Sequence, residues 1–238
     1  MSLNKTVIIT GASSGIGLGL VKAFLDHGYN VVGNARSQSG LDDAAGQLGH
    51  PASFIGVAGD VADPATSATL ITQAIKAFGA VDGLVNNAGF FLPKPFVEYS
   101  PQDLDALLDT NLKGLVYASQ AAAAHMIGRQ QGFIINISAA VALQPNIQVP
   151  AALPVLIKGG VNQMTRALAL ELSPTTSRST PSPPASSTRR CMIRRTASSS
   201  TTWPLPVGWA PSRKLPRPCC TWRARILPPA RYCQWMAG

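Results

Sequence analysis

Two hydrophobic rhythms alternate along the first 173 residues. Short apolar runs end at glycine or polar turns: "TVIIT" (6–10), "YNVVGNAR" (29–36), "SFIGVAGD" (53–60), "VDGLVNNAG" (81–89) and "GFIINIS" (132–138). Between them lie stretches with apolar residues every three or four positions: "GLGLVKAFLDHG" (17–28), "TSATLITQAIKAFG" (66–79), "DLDALLDTNLKGLVYASQAAAAHM" (103–126) and "KGGVNQMTRALALELS" (158–173). The first kind predicts buried strands and the second predicts amphipathic helices. Alternation of the two predicts an α/β protein, with one doubly wound parallel sheet covered by helices on both faces. Ligands of such sheets bind beyond the C-terminal ends of the strands.

Composition changes this picture at one place. The chain has 238 residues and a formal charge of +9, which taken whole would suggest an anionic partner. Residues 1–173 carry nine Lys and Arg against eleven Asp and Glu, whereas 174–238 carry eleven Lys and Arg and no acid. All four Cys and all four Trp also lie in the second part. The domain proper is therefore mildly acidic and free of cysteine. The opening "MSLNKTVIIT" lacks the long apolar stretch of a secretory leader, and no apolar run reaches membrane-spanning length. The expectation is a soluble cytoplasmic protein without a membrane or nucleic-acid partner.

Candidate chemistry sits at the expected strand ends. "TGASSGIG" (10–17) joins the first strand to the first helix. Gly11, Gly15 and Gly17 let backbone approach a pyrophosphate at a helix N-terminus, where free N–H groups and the helix dipole favour anions. With it come "GDVAD" (59–63), "NNAG" (86–89), the Asn of "TNLKG" (110–114), "INIS" (135–138) and "KGGVN" (158–162). In this order and spacing, residues 6 to about 173 resemble the short-chain dehydrogenase/reductase family. The resemblance implies a single Rossmann-type domain, usually dimeric or tetrameric. Its implied chemistry is hydride transfer between NAD(P) and a carbonyl or alcohol. It further implies that Ser13, Ser14 and Ile16 line the cofactor turn with the glycines. Asp60 and Val61 would hold the adenine, and Asn86, Ala88 and Gly89 would flank the adenosine ribose and support the central strand. The second strand ends on Ala35 and Arg36, not on an acid. An acid there would bind both ribose hydroxyls of NAD, while a guanidinium pairs with the 2′-phosphate of NADP, so the expected cofactor is NADP.

The expected reaction centre departs from the family pattern. The resemblance assigns Asn111 to a water-holding position in a proton relay and Lys158 to the nicotinamide ribose. The family places a proton-transferring Tyr four residues before that Lys; here Pro154 stands there. No tyrosine occurs between 118 and 231. Proline has no hydroxyl and transfers no proton. The carbonyl-polarising Ser aligns with Ala139, and Ser138 could replace it if the strand end shifts; otherwise Ser138 caps backbone. Two readings follow. One is an oxidoreductase that moves its proton through water and Lys158. The other is a catalytically weak NADP-binding sensor or scaffold.

The last 65 residues form the expected second segment, 174–238. "TTSRSTPSPPASSTRR" (175–190) replaces helical spacing with Ser, Pro and Arg. Read one nucleotide out of frame, the end of the chain conceals a family-like ending. Trp235 and Met236 have single codons, and the codon spanning them is GAT, Asp; Met236 and Ala237 then force Gly. Permitted readings under 176–185 include "NIKVNAVAPG". The segment therefore reads as a frameshifted C-terminal part of the family fold. Its prolines and arginines lead to the expectation that strands at about 177–182 and 231–235 are lost from the sheet.

Overall fold

The computed structural model describes residues 4–172 in full, together with the backbone strands Met192–Ile193 and Gln234–Ala237. Strands β1 (Thr6–Thr10), β2 (Asn30–Ala35), β3 (Phe54–Ala58), β4 (Gly83–Asn86) and β5 (Gln131–Ala139) pair in the order β3-β2-β1-β4-β5, all parallel. Chain order reverses direction between β1 and β4, which opens a crevice at their C-terminal ends.

Side chains on β1 alternate between two cores, as the pleat requires. Ile8 packs with Val32, Leu70, Leu84 and Ala122 on one face. Val7 and Ile9 pack with Val21, Phe24, Val31 and Val85 on the other. Helices α1 (Gly15–Asp26) and α3 (Pro64–Phe78) supply the cover on opposite faces. Asp63 caps α3, Pro64 starts it, and Gly79 ends it in the left-handed conformation at φ +85°.

Three elements differ from the sequence reading. Residues Gln38–Gln47 form a helix, α2, where none was expected. Only Leu41 and Ala44 are buried on it, too few to write a helical period, and two glycines interrupt it. The long helix expected at 103–126 is divided into α4 (Pro101–Leu108), a π-turn (Asp109–Lys113) and α5 (Gly114–Arg129). Helix α6 (Ala152–Glu171) begins before Lys158, with Pro154 inside its first turn. That position has no intrahelical partner for an N–H, so proline costs no ladder bond there.

The expected loss of a strand near 231–235 is corrected in part. Strand β7 (Gln234–Ala237) runs parallel to β5, with Asn136 opposite Gln234 and Ala139 opposite Ala237. Strand β6 (Met192–Ile193) pairs with the start of β5, at Gln131 and Gly132. The outer edge of β5 offers unpaired backbone groups, and residues 234–237 contain no proline to interrupt a ladder. The expectation for 177–182 lies outside the described residues. No described helix is long and apolar enough to cross a membrane.

Candidate active site

The glycine turn after β1 is held from the neighbouring strand end. Gly11 has φ +67°, a backbone shape that favours glycine. A Cβ on Gly17 would strike the Gly11 carbonyl and come within 2.7 Å of Asn87 Nδ2, so only glycine fits. Asn87 Nδ2 donates to the carbonyls of Thr10 (3.0 Å) and Gly11 (3.2 Å). Thr10 Oγ1 in turn accepts from the N–H groups of Asn87 and Ala88, each at 3.0 Å. Neither Thr10 nor Asn87 was singled out in the sequence. The second Asn of "NNAG" was the available signal, since neighbours at a strand end point in opposite directions.

Helix α1 opens toward this turn without a cap. Ser14 occupies the cap position in an extended conformation but makes no side-chain capping bond, and the first turn holds no acid. By contrast, Ser37 caps α2, Asp63 caps α3, and Ser100 with Asp103 forms a capping box on α4. The N–H groups of the first turn of α1 thus lack a side-chain acceptor, and Ser14, Gly15 and Ile16 are exposed beside them. Ser13 is half-buried and lies against Gly40 in the first turn of α2. Arg36 is exposed at the end of β2, with no ion pair or hydrogen bond among the described residues. Asn34 fixes that strand end: its amide donates to the carbonyls of Val57 (3.1 Å) and Gly59 (3.0 Å), and its own carbonyl accepts from Ala12 N–H at 2.8 Å.

Asp60 and Val61 follow β3. The Asp60 carboxylate accepts from Ala62 N–H at 2.9 Å and remains exposed; Val61 is buried against Gly114. Asn86 points into the sheet interior. Its amide donates to Ser119 Oγ and to Asn136 Oδ1, both at 2.8 Å, and Asn136 passes the chain on to Thr165 Oγ1 at 2.8 Å. This buried line ties β4, β5, α5 and α6 together. Ala88 and Gly89 remain at the strand end facing the crevice.

Three expected residues meet at the centre. The π-turn turns Asn111 inward to 3% exposure, where Oδ1 accepts from Phe90 N–H and Nδ2 donates to the Leu107 carbonyl, both at 3.2 Å. A Cβ on Gly89 would come within 2.5 Å of Asn111 Oδ1 and 3.7 Å of Lys158 Nζ, so the bare glycine lets all three approach. Lys158 Nζ donates to the Ile137 carbonyl at 2.9 Å. Burial holds its ammonium below the usual lysine range. Ser138 follows Ile137, whose carbonyl Lys158 holds. It is 4% exposed, and its hydroxyl finds no partner among the described residues. Ala139, the next residue on β5, carries no hydroxyl, and Pro154 is buried one helical turn before Lys158. The arrangement brings the Lys158 amine and the buried Asn111 amide together beside Gly89.

Comparison with known proteins points to one family. The profile described as short chain dehydrogenase matches residues 5–182. The chain belongs to the short-chain dehydrogenase family. It is 36% identical over 178 residues to a 3alpha-hydroxysteroid dehydrogenase of Mediterraneibacter gnavus, covering 72% of this chain and 69% of the relative. A Haemophilus influenzae protein named as a probable NADP-dependent dehydrogenase is 35% identical over 59% of this chain and 55% of its own length. The 3-ketoacyl-(acyl-carrier-protein) reductase of Brucella melitensis, solved in complex with NADH, superposes with a TM-score of 0.66 at 32% identity, over 72% of each chain. This family member is thus an oxidoreductase type with a Rossmann-like parallel sheet, and its family uses NAD(P).

Proposed function

We propose that this chain is an NADP-dependent oxidoreductase acting on a carbonyl/alcohol pair, with an impaired proton-transfer centre. The observation that carries the reading is the meeting of Gly89, Asn111 and Lys158 at the strand ends, one turn from a buried proline. The residues fit the cofactor. The first turn of α1 has no side-chain cap, Gly17 seats flush on the Gly11 carbonyl, and Arg36 is an unpaired cation at the end of β2. Bound there, NADPH supplies the hydride. Gly11, Ser13, Ser14, Gly15, Ile16 and Gly17 hold the phosphates; Asp60 and Val61 border the adenine; Lys158 holds the nicotinamide ribose. Arg36 decides between NADP and NAD, which the relatives leave open, one being named for NADP and one bound to NADH.

A second reading has specific support. The Ser138 hydroxyl is buried without a partner among the described residues, and Pro154, at the proton-transferring position, has no hydroxyl. On that reading the chain binds NADP as a sensor or scaffold. We further read the protein as cytoplasmic and homo-oligomeric, with 1–173 as its domain and 174–238 as a frameshifted segment. Titration of NADPH and NADH by calorimetry, followed by turnover assays with ketones and aldehydes, tests both. Binding with slow turnover supports an impaired oxidoreductase, binding with none supports the sensor, and absence of nucleotide binding overturns both. Intact mass and resequencing of the coding region test the frame.

A further inference from the structure

We propose that the Lys158 side chain is a nucleophilic amine that condenses with carbonyl compounds entering the site to form an imine. The inference rests on reading this crevice as a carbonyl site. Lys158 Nζ is half-buried at the strand ends, held by one hydrogen bond to the Ile137 carbonyl, with no carboxylate paired to it among the described residues. A neutral amine can donate that bond and keep its lone pair free. Lys5 and Lys76 also lack an acid partner but are exposed to water, and three other described lysines are paired. Lys22 pairs with Asp26 at 3.0 Å, Lys94 with Asp103 at 2.7 Å and Lys113 with Asp109 at 2.6 Å. Asp109 pushes the Lys113 ammonium above its usual range, while burial pulls Lys158 down. A lysine loses its proton most readily when desolvated without an acid partner, and its neutral amine is the form that attacks a carbonyl.

Space and surroundings suit the step. Gly89 presents no side chain beside Nζ, and the adjoining Phe90 and Phe91 are 42% and 49% exposed, an apolar approach for an aromatic carbonyl. The N–C bond forms as the amine attacks. The carbonyl oxygen then leaves as water, taking up both amine protons, and no oxidant or reductant is consumed. The absence of a tyrosine hydroxyl at Pro154 leaves the amine as the reactive polar group of this corner.

The test uses the full chain without nucleotide, incubated with benzaldehyde and sodium cyanoborohydride at neutral pH and mapped by peptide mass spectrometry. A benzyl adduct is expected at Lys158 about tenfold faster than at Lys22 or Lys113. Lys158→Arg should lose that adduct and leave the other two sites labelled as before. Equal labelling of all three lysines, or labelling that spares Lys158, overturns the proposal. The wild-type map decides this even if the variant does not fold. NADPH binding, measured separately, distinguishes the two readings: a chain that binds NADPH but leaves Lys158 unlabelled loses the imine and keeps the cofactor site.

Discussion

At the scale of single residues, each position in the crevice makes a separable prediction. Arg36→Asp should reverse the cofactor preference, because a carboxylate binds both ribose hydroxyls and repels a 2′-phosphate. A charge-assisted contact contributes about 1.5–3 kcal/mol, so affinity for NADPH should fall by roughly ten- to a hundredfold in calorimetry. Equal affinities for the two nucleotides in the parent would refute this role. Pro154→Tyr restores a hydroxyl one turn before Lys158 and should raise ketone reduction about a hundredfold or more in steady-state kinetics. Gly17→Ala should cost about 1–3 kcal/mol in denaturant unfolding and weaken nucleotide binding, because its methyl would strike the Gly11 carbonyl. These residues stood out in the sequence through the family resemblance and its spacing: Pro154 takes the position four before Lys158, and the glycines sit between a strand and a helix. Asn87 and Thr10 were not, since their work is a set of contacts between strand ends more than 70 residues apart.

At the scale of elements, the strands were legible and the helix ends were not. "TVIIT" and "GLVN" are short and fully buried, so composition alone marks them. The apolar period runs unbroken through "DTNLK", and nothing in it signals the π-turn that carries Asn111 inward. The opposite end of β4 shows a pH-sensitive tie. His125 on α5 accepts the Val81 N–H at Nε2, 3.2 Å away, which requires that nitrogen to be unprotonated. Burial first, and then the Arg129 guanidinium, push this imidazole below its usual 6.5. The unfolded chain therefore binds the proton more readily than the folded one. The tie contributes stability above about pH 6.5, and that stability is lost as pH falls through the lower folded value. Thermal unfolding from pH 8 down to pH 5 should show a falling Tm, and His125→Gln should flatten this part of the curve. A Tm indifferent to pH over this range would rule the tie out.

At the scale of the whole molecule, β5 joins the fully described domain to the rest of the chain. Its edge carries both β6 and β7, so the sheet extends past the place where Ser, Pro and Arg take over the sequence. Backbone pairing asks little of side-chain identity, which is why Met192–Ile193 and Gln234–Ala237 pair with β5 inside a stretch so unlike 1–173 in composition, and why these strands were not legible. The candidate site is drawn from β1 to β5, α1, α6 and the π-turn, all within residues 4–172. The link between the strand ends has a kinetic consequence. Asn87 and Thr10 lock the glycine turn to the end of β4 through four hydrogen bonds made within the chain itself. A ligand that meets a surface already in its bound shape has no loop to order, so little conformational entropy is lost on binding. Stopped-flow association of NADPH should therefore be a single exponential whose rate rises linearly with nucleotide concentration. Asn87→Ala, which frees the turn, should bend that line into a plateau, the signature of a rearrangement that the parent protein does not need.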